Sequence, residues 1–310
     1  MKTIPKATSI FYIGKGGAGK STSAALNSLF LAQQGLEVMI ISLDPAHNQS
    51  DILEKRLSDK PRQIAPHLKA IEIDHKYWIR QYLKDIHEQI KRTYRYLTSF
   101  NLEKYFKVIK HSPCLEEYAL ILAFREIRRK FSKMDYLVFD MAPTALSLKF
   151  FNLPTVSLVW VNHLLSLRRE IIRKREIVTR IKLMNKEIET DKVLLRIKTS
   201  IQEYTALKEL FEDPDLTKIN LVMNPDQLSI AESRRIVEGL KDINIPLSQV
   251  IINKSRQGCC MAYIHKEFKG LSILKLPFSE TPLIGLDVLA HFLKENNDKM
   301  MAQPLKIPVS

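Results

Sequence analysis

Short apolar runs alternate with amphipathic stretches along most of the chain. Ser9–Ile13 reads as a strand buried on both faces. Lys20–Gln34 follows as a helix that stops before Gly35. Glu37–Leu43, rich in Val and Ile, predicts a second strand, Ala70–Ile73 a third and Tyr136–Phe139 a fourth. In the second half, Ile219–Met223, Gln249–Ile252 and Ser272–Leu276 predict strands, and Leu228–Leu240 and Leu283–Leu293 predict helices. Strand–helix alternation over this length implies an α/β fold, a doubly wound and mostly parallel sheet with helices on both faces. Residues 1–310 read as one domain.

Two stretches depart from the alternation. His75–Lys133 is mostly helical and basic, and Asn162–Phe211 is more basic still. In the latter, Leu164, Leu167, Ile171, Val178, Ile181 and Ile188 recur at three- and four-residue steps, so one helix face is apolar. The opposite face carries Arg168, Arg169, Arg173, Arg175, Arg180, Lys182 and Lys186. Residues 75–133 and 162–211 are therefore expected as helical insertions projecting from the sheet core. Met301–Ser310 holds two prolines and reads as a loose tail.

Composition narrows the class. The 310 residues are 45% hydrophobic and 26% charged, which excludes a disordered or low-complexity chain. Three cysteines exclude a disulfide scaffold. The longest apolar runs, Tyr118–Phe124 and Val156–Val161, fall short of the ~18 uninterrupted residues of a membrane span. The N-terminus lacks a signal-peptide cleavage pattern, so a cytoplasmic protein with reduced thiols is expected. With 48 Lys+Arg against 34 Asp+Glu, the net charge is +14. That charge favours anionic partners: nucleic acid, an anionic membrane surface or an acidic protein.

The segment Gly14-Lys15-Gly16-Gly17-Ala18-Gly19-Lys20-Ser21-Thr22 fits G-x-x-x-x-G-K-S/T between a predicted strand and a predicted helix, the context such a phosphate loop requires. Its glycines let main-chain N–H groups face phosphates, and the following helix adds partial positive charge. Lys20 would neutralise the β- and γ-phosphates, and the Ser21 hydroxyl suits Mg²⁺. Lys15 has two readings. It is a solvated surface lysine, or it reaches across a two-fold interface to a partner subunit's nucleotide.

Two further strands end in aspartates. Glu37–Leu43 runs into Asp44-Pro45-Ala46-His47-Asn48 and then Gln49-Ser50-Asp51. An aspartate at the C-terminal edge of a parallel strand sits where ligands bind in open α/β sheets, and it would orient or deprotonate a water. A turn or helix-cap aspartate fits the residues equally well. Tyr136–Phe139 leads to Asp140-Met141-Ala142-Pro143-Thr144, where Asp140 is placed to hold Mg²⁺ directly or through water, or to cap a turn.

Together these residues carry a resemblance. The loop is similar to the GKGGxGKST phosphate loop of the dimeric nucleotide-switch ATPases. These include the arsenite-pump ATPases, the guided-entry factors that deliver tail-anchored membrane proteins, and the partition ATPases. The early lysine acts in trans in that class, which would be the role of Lys15. DPAHN followed by Ser50-Asp51 resembles switch I of the arsenite-pump and guided-entry subfamily, which implies that Asp44 is the hydrolytic residue and Asn48 the switch asparagine. Asp140, Ala142, Pro143 and Thr144 match switch II, usually DTAPTGH, whereas Met141, Ala145 and Leu146 depart from it. Ile71–Asp74 fits the third strand. Ser112–Glu117 resembles a PGxxE segment with Cys114 where glycine is usual. Asn224–Ser229 through Glu232 resembles PExLSxxE. Leu276-Pro277-Phe278 and Pro282…Gly285 resemble the C-terminal loop. The likeness covers most of the chain in order and excludes Asn162–Phe211.

Asn253-Lys254-Ser255-Arg256 resembles the N-K-x-D guanine signature with arginine in place of the aspartate. A donor there cannot read guanine's donor edge, so ATP is expected. The resemblance implies that Asn253 contacts the adenine and that Pro277 lies at the nucleotide; a turn asparagine is the plain alternative. Cys259 and Cys260 are adjacent, and neighbouring side chains diverge, so they do not form a C-x-x-C zinc pair. With Cys114 they read as buried or incidental thiols rather than an arsenite site. Met184 is the sole methionine of 162–211, which sets that stretch apart from the methionine-rich client groove of guided-entry factors.

The resemblance thus implies a homodimeric, Mg²⁺-dependent ATPase, cytoplasmic or peripheral at a membrane. Lys15 and Lys20 would neutralise phosphates, Asp44 would position water, and hydrolysis would reshape the insertions around a client protein or membrane component. The rival readings are a partition-type ATPase holding DNA, a scaffold that binds ATP and hardly hydrolyses it, and coupling to arsenite or antimonite transport.

Overall fold

The protein is described by a computed structural model covering residues 7–46, 48–93, 114–182, 191–256 and 261–301. Eight strands form one sheet: β1 (Thr8–Ile13), β2 (Val38–Ser42), β3 (Arg62–Ala65), β4 (Leu68–Glu72), β5 (Tyr136–Asp140), β6 (Thr217–Met223), β7 (Gln249–Ser255) and β8 (Ser272–Pro277). Their order is β3-β4-β2-β5-β1-β6-β7-β8. Every neighbouring pair is parallel except β3 with β4.

The continuous apolar reading of β1 has a direct structural cause. Phe11 and Ile13 join one core while Ile10 and Tyr12 join the core on the opposite face. A parallel strand covered on both sides has no polar face to show. The first core contains six phenylalanines packed on one another. Phe11 stacks on its sheet neighbour Phe139 at 4.8 Å, and Phe150, Phe151, Phe124 and Phe211 close around the pair. The second core lies under α1 (Lys20–Gln33).

The helices that follow are α2 (Asn48–Ile52), α3 (His75–Thr93), α4 (Leu115–Lys130), α5 (Thr144–Lys182), α6 (Lys192–Glu212), α7 (Gln227–Asp242), α8 (Met261–Glu267) and α9 (Leu286–Met301). Three expectations need correction. The third strand runs Leu68–Glu72, and sequence reading missed the antiparallel edge strand β3 beside it, where exposed Arg62 and Gln63 hide any alternation. Residues 75–133 are not uniformly peripheral, because α4 buries Leu120, Ile121, Ala123, Phe124 and Ile127 in the phenylalanine core. Likewise the stretch 162–211 is part of a longer hairpin. Helix α5 starts at Thr144 with Phe150, Phe151 and Leu153 beneath the sheet, and α6 returns to bury Leu207 and Phe211 there. Asp191 caps α6 by accepting from Leu194 N and pairs with both Nε and Nη2 of Arg168, which ties the two helices together.

Counting uninterrupted apolar residues also understated α5. No charged residue falls between Phe150 and Leu167. The segment Thr144–Lys174 is long and apolar enough by composition to cross a membrane; an 18-residue stretch of it has a mean hydropathy of 1.2, with 33% of that stretch buried in the fold.

Candidate functional site

The chain reverses direction across β1. From β1 it crosses to β2, and β5 later fills the gap between them; from β5 it crosses back past β1 to β6. Open α/β sheets bind ligands at the C-terminal edge at such a switch point. The phosphate loop leaves the sheet there; Asp44 lies just past the end of β2, and Asp140 is the last residue of β5. Leu43 N donates to Asp140 O at 2.8 Å, which fixes the two aspartates side by side.

Two glycines of the loop are obligatory. Gly14 has φ 143°, and a Cβ there would stand 2.2 Å from Val222 O on β6. Gly19 has φ 95°, and a Cβ would stand 2.0 Å from Asn253 Nδ2. Gly16 and Gly17 face open space, and Ala18 is buried. Gly19 is also the N-cap of α1 and brings no side chain to the first turn, which leaves those N–H groups facing outward for an anion. Lys20 is buried, and its Nζ lies 3.4 Å from the Lys15 carbonyl. Ser21 is buried and Thr22 half-buried.

Asp140 is fully buried. Burial pushes its carboxyl up to about 6; the neighbouring Ser21 hydroxyl, the Gln49 amide and the Lys20 charge oppose that rise, and the Asp44 charge adds to it. One oxygen, Oδ2, accepts from Gln49 Nε2 at 3.0 Å. The other, Oδ1, has no partner among the described residues. An orphaned carboxylate oxygen beside a serine hydroxyl and a phosphate loop fits Mg²⁺, a hard cation that takes one or two protein oxygens and completes its shell with phosphate and water. Among the described residues no cluster of three or more His, Cys, Asp or Glu offers an all-protein cage. Asp140 and Ser21 are thus the residues that would hold the ion.

Asp44 is also buried, and its Oδ1 accepts from Ala46 N at 3.0 Å, the turn geometry that its Asp-Pro context allows. Asn48 opens α2 and is half-buried. Asn253 donates from Nδ2 to Ala18 O at 2.8 Å, so its side chain braces the phosphate loop. Pro277 ends β8 opposite Ser255, and Arg256 lies over the Phe278 ring at 4.2 Å beside it. The loop, Asp44, Asp140, Asn48, Asn253 and Pro277 therefore share one rim of the sheet. Lys15 leaves it. Its Nζ lies 4.0 Å from Glu232 Oε2 on α7, and Glu232 Oε1 accepts from Thr144 Oγ1 at 2.9 Å.

Sequence reading missed two residues here. Gln49, fully buried, donates to both Ser21 O and Asp140 Oδ2 and so joins the loop, switch I and switch II. No spacing motif marks a lone glutamine after Asn48. Glu72 on β4 is buried and accepts from Ser50 N and Ser50 Oγ, which anchors α2 to the sheet. Cys114 explains its own oddity: it takes φ 62°, the left-handed conformation in which glycine is favoured, as N-cap of α4. His47, Met184, Cys259 and Cys260 lie outside the described residues. An open cleft of about 410 Å³ between Phe30, Gln34, Ala290 and Lys294 lies at the other end of α1 and contributes nothing to this rim.

A phosphate loop between β1 and α1, backed by two aspartates on neighbouring strands, defines a P-loop ATPase. A model of the anion-transporting ATPase family matches residues 7–296, and the chain belongs to that family. It is 25% identical to the putative arsenical pump-driving ATPase 2 of Aquifex aeolicus over 300 residues, 92% of this chain and 97% of the relative. It is 28% identical to ATPase GET3A of Arabidopsis thaliana over 305 residues, 91% of this chain and 82% of that protein. It is 26% identical to an ATPase ASNA1 homolog of Cryptosporidium parvum over 79% of this chain and 64% of the relative.

Proposed function

We infer that the protein is a homodimeric, Mg²⁺-dependent ATP hydrolase whose nucleotide state moves the α5–α6 hairpin for a client protein or membrane component. The observation that carries this reading is the buried, half-satisfied Asp140 held by Gln49 against Ser21. The loop N–H groups and Lys20 bind the phosphates. Mg²⁺, when bound, neutralises phosphate charge and orients the terminal phosphoryl group. Asp44 holds the attacking water and takes up its proton; its Oδ1 at present accepts from Ala46 N in a local turn.

Dimerisation is supported by the direction of Lys15, whose ammonium points to Glu232 and away from its own loop. Pairing across a two-fold axis would bring it to the partner subunit's phosphates. Such a move breaks a partly exposed ion pair worth only about 0–1 kcal/mol, so phosphate competes easily. Switch II would respond at once, because Thr144 shares Glu232 with Lys15 and is also the first residue of α5.

A weakly hydrolysing scaffold is the second reading. It is favoured by the replacement of the usual switch II Gly-His by Ala145-Leu146, which here form the first turn of α5. The Asp44→Asn protein separates the two. Under the hydrolase reading it binds ATP with Mg²⁺, doubles its mass by light scattering and loses turnover. Turnover at the wild-type rate refutes the role of Asp44, and a negligible wild-type rate selects the scaffold.

A further inference from the structure

Helix α5 leaves the sheet and exposes a continuous apolar stripe. Val156, Trp160, Leu164, Leu167 and Ile171 succeed one another at steps of four, four, three and four, and their exposures run from 39% to 66%. Residues so spaced share one helix face, here about 22 Å long at 1.5 Å per residue. Val159, at 57% exposed, widens it. Single exposed apolar residues need no explanation, but a contiguous row on a charged protein marks a surface that is covered in use.

The surroundings of the stripe say what covers it. Lys174 lies in line with the row at its end, and Arg169 and Arg173 are exposed on the same helix. On α6, Leu195 stands 58% exposed with exposed Lys192 and Lys198 one turn to either side. Against these five cations Glu170 is the one exposed carboxylate of the described segments 164–174 and 191–198. Arg168 is already neutralised by Asp191. The α5 window is apolar enough for a bilayer by composition, yet its first turns carry Phe150, Phe151 and Leu153 of the core and cannot leave without emptying it. A helix anchored at one end, apolar on one side and cationic at its flanks is built to lie in a headgroup layer rather than to span it.

We propose that the α5 stripe from Val156 to Ile171, with Lys174, Arg169, Arg173, Lys192 and Lys198, docks on an anionic lipid surface. Trp160, the most exposed residue of the row, enters the headgroup–acyl boundary, where an indole ring is favoured. Lys174 and the lysines of α6 reach lipid phosphates, each contributing attraction that salt weakens. The surface is separate from the phosphate loop, so lipid association does not depend on the nucleotide reading.

The test uses the full chain with vesicles of phosphatidylcholine alone and of phosphatidylcholine mixed with phosphatidylglycerol. The chain has two tryptophans, and Trp78 is half-buried against the core, so a Trp78→Phe background leaves Trp160 as the reporter. Flotation is expected with the anionic vesicles, at least about tenfold above neutral ones. A blue shift of Trp160 emission should accompany it, and both should be lost in a Leu164→Asp, Leu167→Asp variant that keeps its thermal midpoint and ATP turnover. A Lys192→Glu, Lys198→Glu variant should lose the preference for anionic vesicles. The proposal is overturned by absence of flotation, by equal binding to both vesicles, or by flotation with unchanged Trp160 emission. It is also overturned if the leucine substitutions alter oligomeric state, which assigns the stripe to a second copy of the chain. The same holds if an apolar helical peptide binds the stripe while vesicles do not.

Discussion

The rim of the sheet and the far side of α5 solve opposite problems. At the rim, polar groups are taken out of water and partnered: Gln49 bridges Ser21 and Asp140, Glu72 receives Ser50 twice, and Asn253 holds Ala18. Along α5, apolar groups are left in water unpartnered, with Trp160 at 66% and Val159 at 57% exposed. Both arrangements are unfavourable for the isolated chain. A buried carboxylate with one oxygen unpartnered among the described residues and a bare row of Val, Trp, Leu and Ile are the two features that a ligand from outside the fold would relieve. On the reading proposed above, the difference is in the ligand: a small anion with a cation at the rim, an extended surface on the hairpin.

Substitutions should break this contrast in order of size. Asp44→Asn should lower turnover roughly 10²–10⁴-fold while leaving ATP binding intact, measured by steady-state phosphate release and calorimetry. Gly19→Ala forces a left-handed alanine against the Asn253 amide and should abolish nucleotide binding. Adding Asn253→Ala relieves the clash but not the φ of 95°, so recovery should be partial.

Asp140→Asn sharpens the comparison through pH. Burial holds the Asp140 carboxyl at about 6, above its ordinary 3.8, so the folded state binds this proton more tightly than the unfolded chain does. Stability is then lost as pH rises from about 4 through about 6 and is flat above. In nucleotide- and metal-free protein, urea unfolding of Asp140→Asn should exceed wild type by up to about 3 kcal/mol above that window and converge with it below. Gln49→Leu, by contrast, strands Asp140 Oδ2 and Ser21 O and should cost about 1–3 kcal/mol. Smallest of all, Leu164→Asp and Leu167→Asp should each change stability by no more than about 0.5 kcal/mol, since neither side chain leaves a packed core.

Sequence patterns exposed the sheet because parallel strands covered on both faces read as apolar runs. The central strands announce themselves this way; the edge strand β8 is still marked by Ile273, Leu274 and Leu276 despite exposed Ser272 and Lys275, whereas the edge strand β3, with Arg62 and Gln63 in water, is not. The phosphate loop was equally legible, since its glycines answer to geometry that only glycine satisfies: the Val222 carbonyl lies 2.2 Å from any Cβ at Gly14. Gln49 and Glu72 were not legible. Their roles arise from contacts between segments 28, 91 and 22 residues apart, which no local spacing encodes. The boundary of the hairpin was misjudged for a related reason. Helical periodicity marks an amphipathic face without saying whether a core or solvent meets it, and α4 and α5 meet both.

Helix α5 begins four residues after Asp140 and runs unbroken by any loop from Thr144 to Lys182. Ile171 stands about 40 Å along it at 1.5 Å per residue. A tilt of about 5° at Thr144 would swing Ile171 by about 3–4 Å on that radius if the helix moved as one body. Pro154 lies inside the helix between those two points, where a missing N–H and the ring's bulk favour a bend, so a movement begun at Thr144 would reach the far end only as far as the Phe150–Leu153 anchorage and that weak point pass it on.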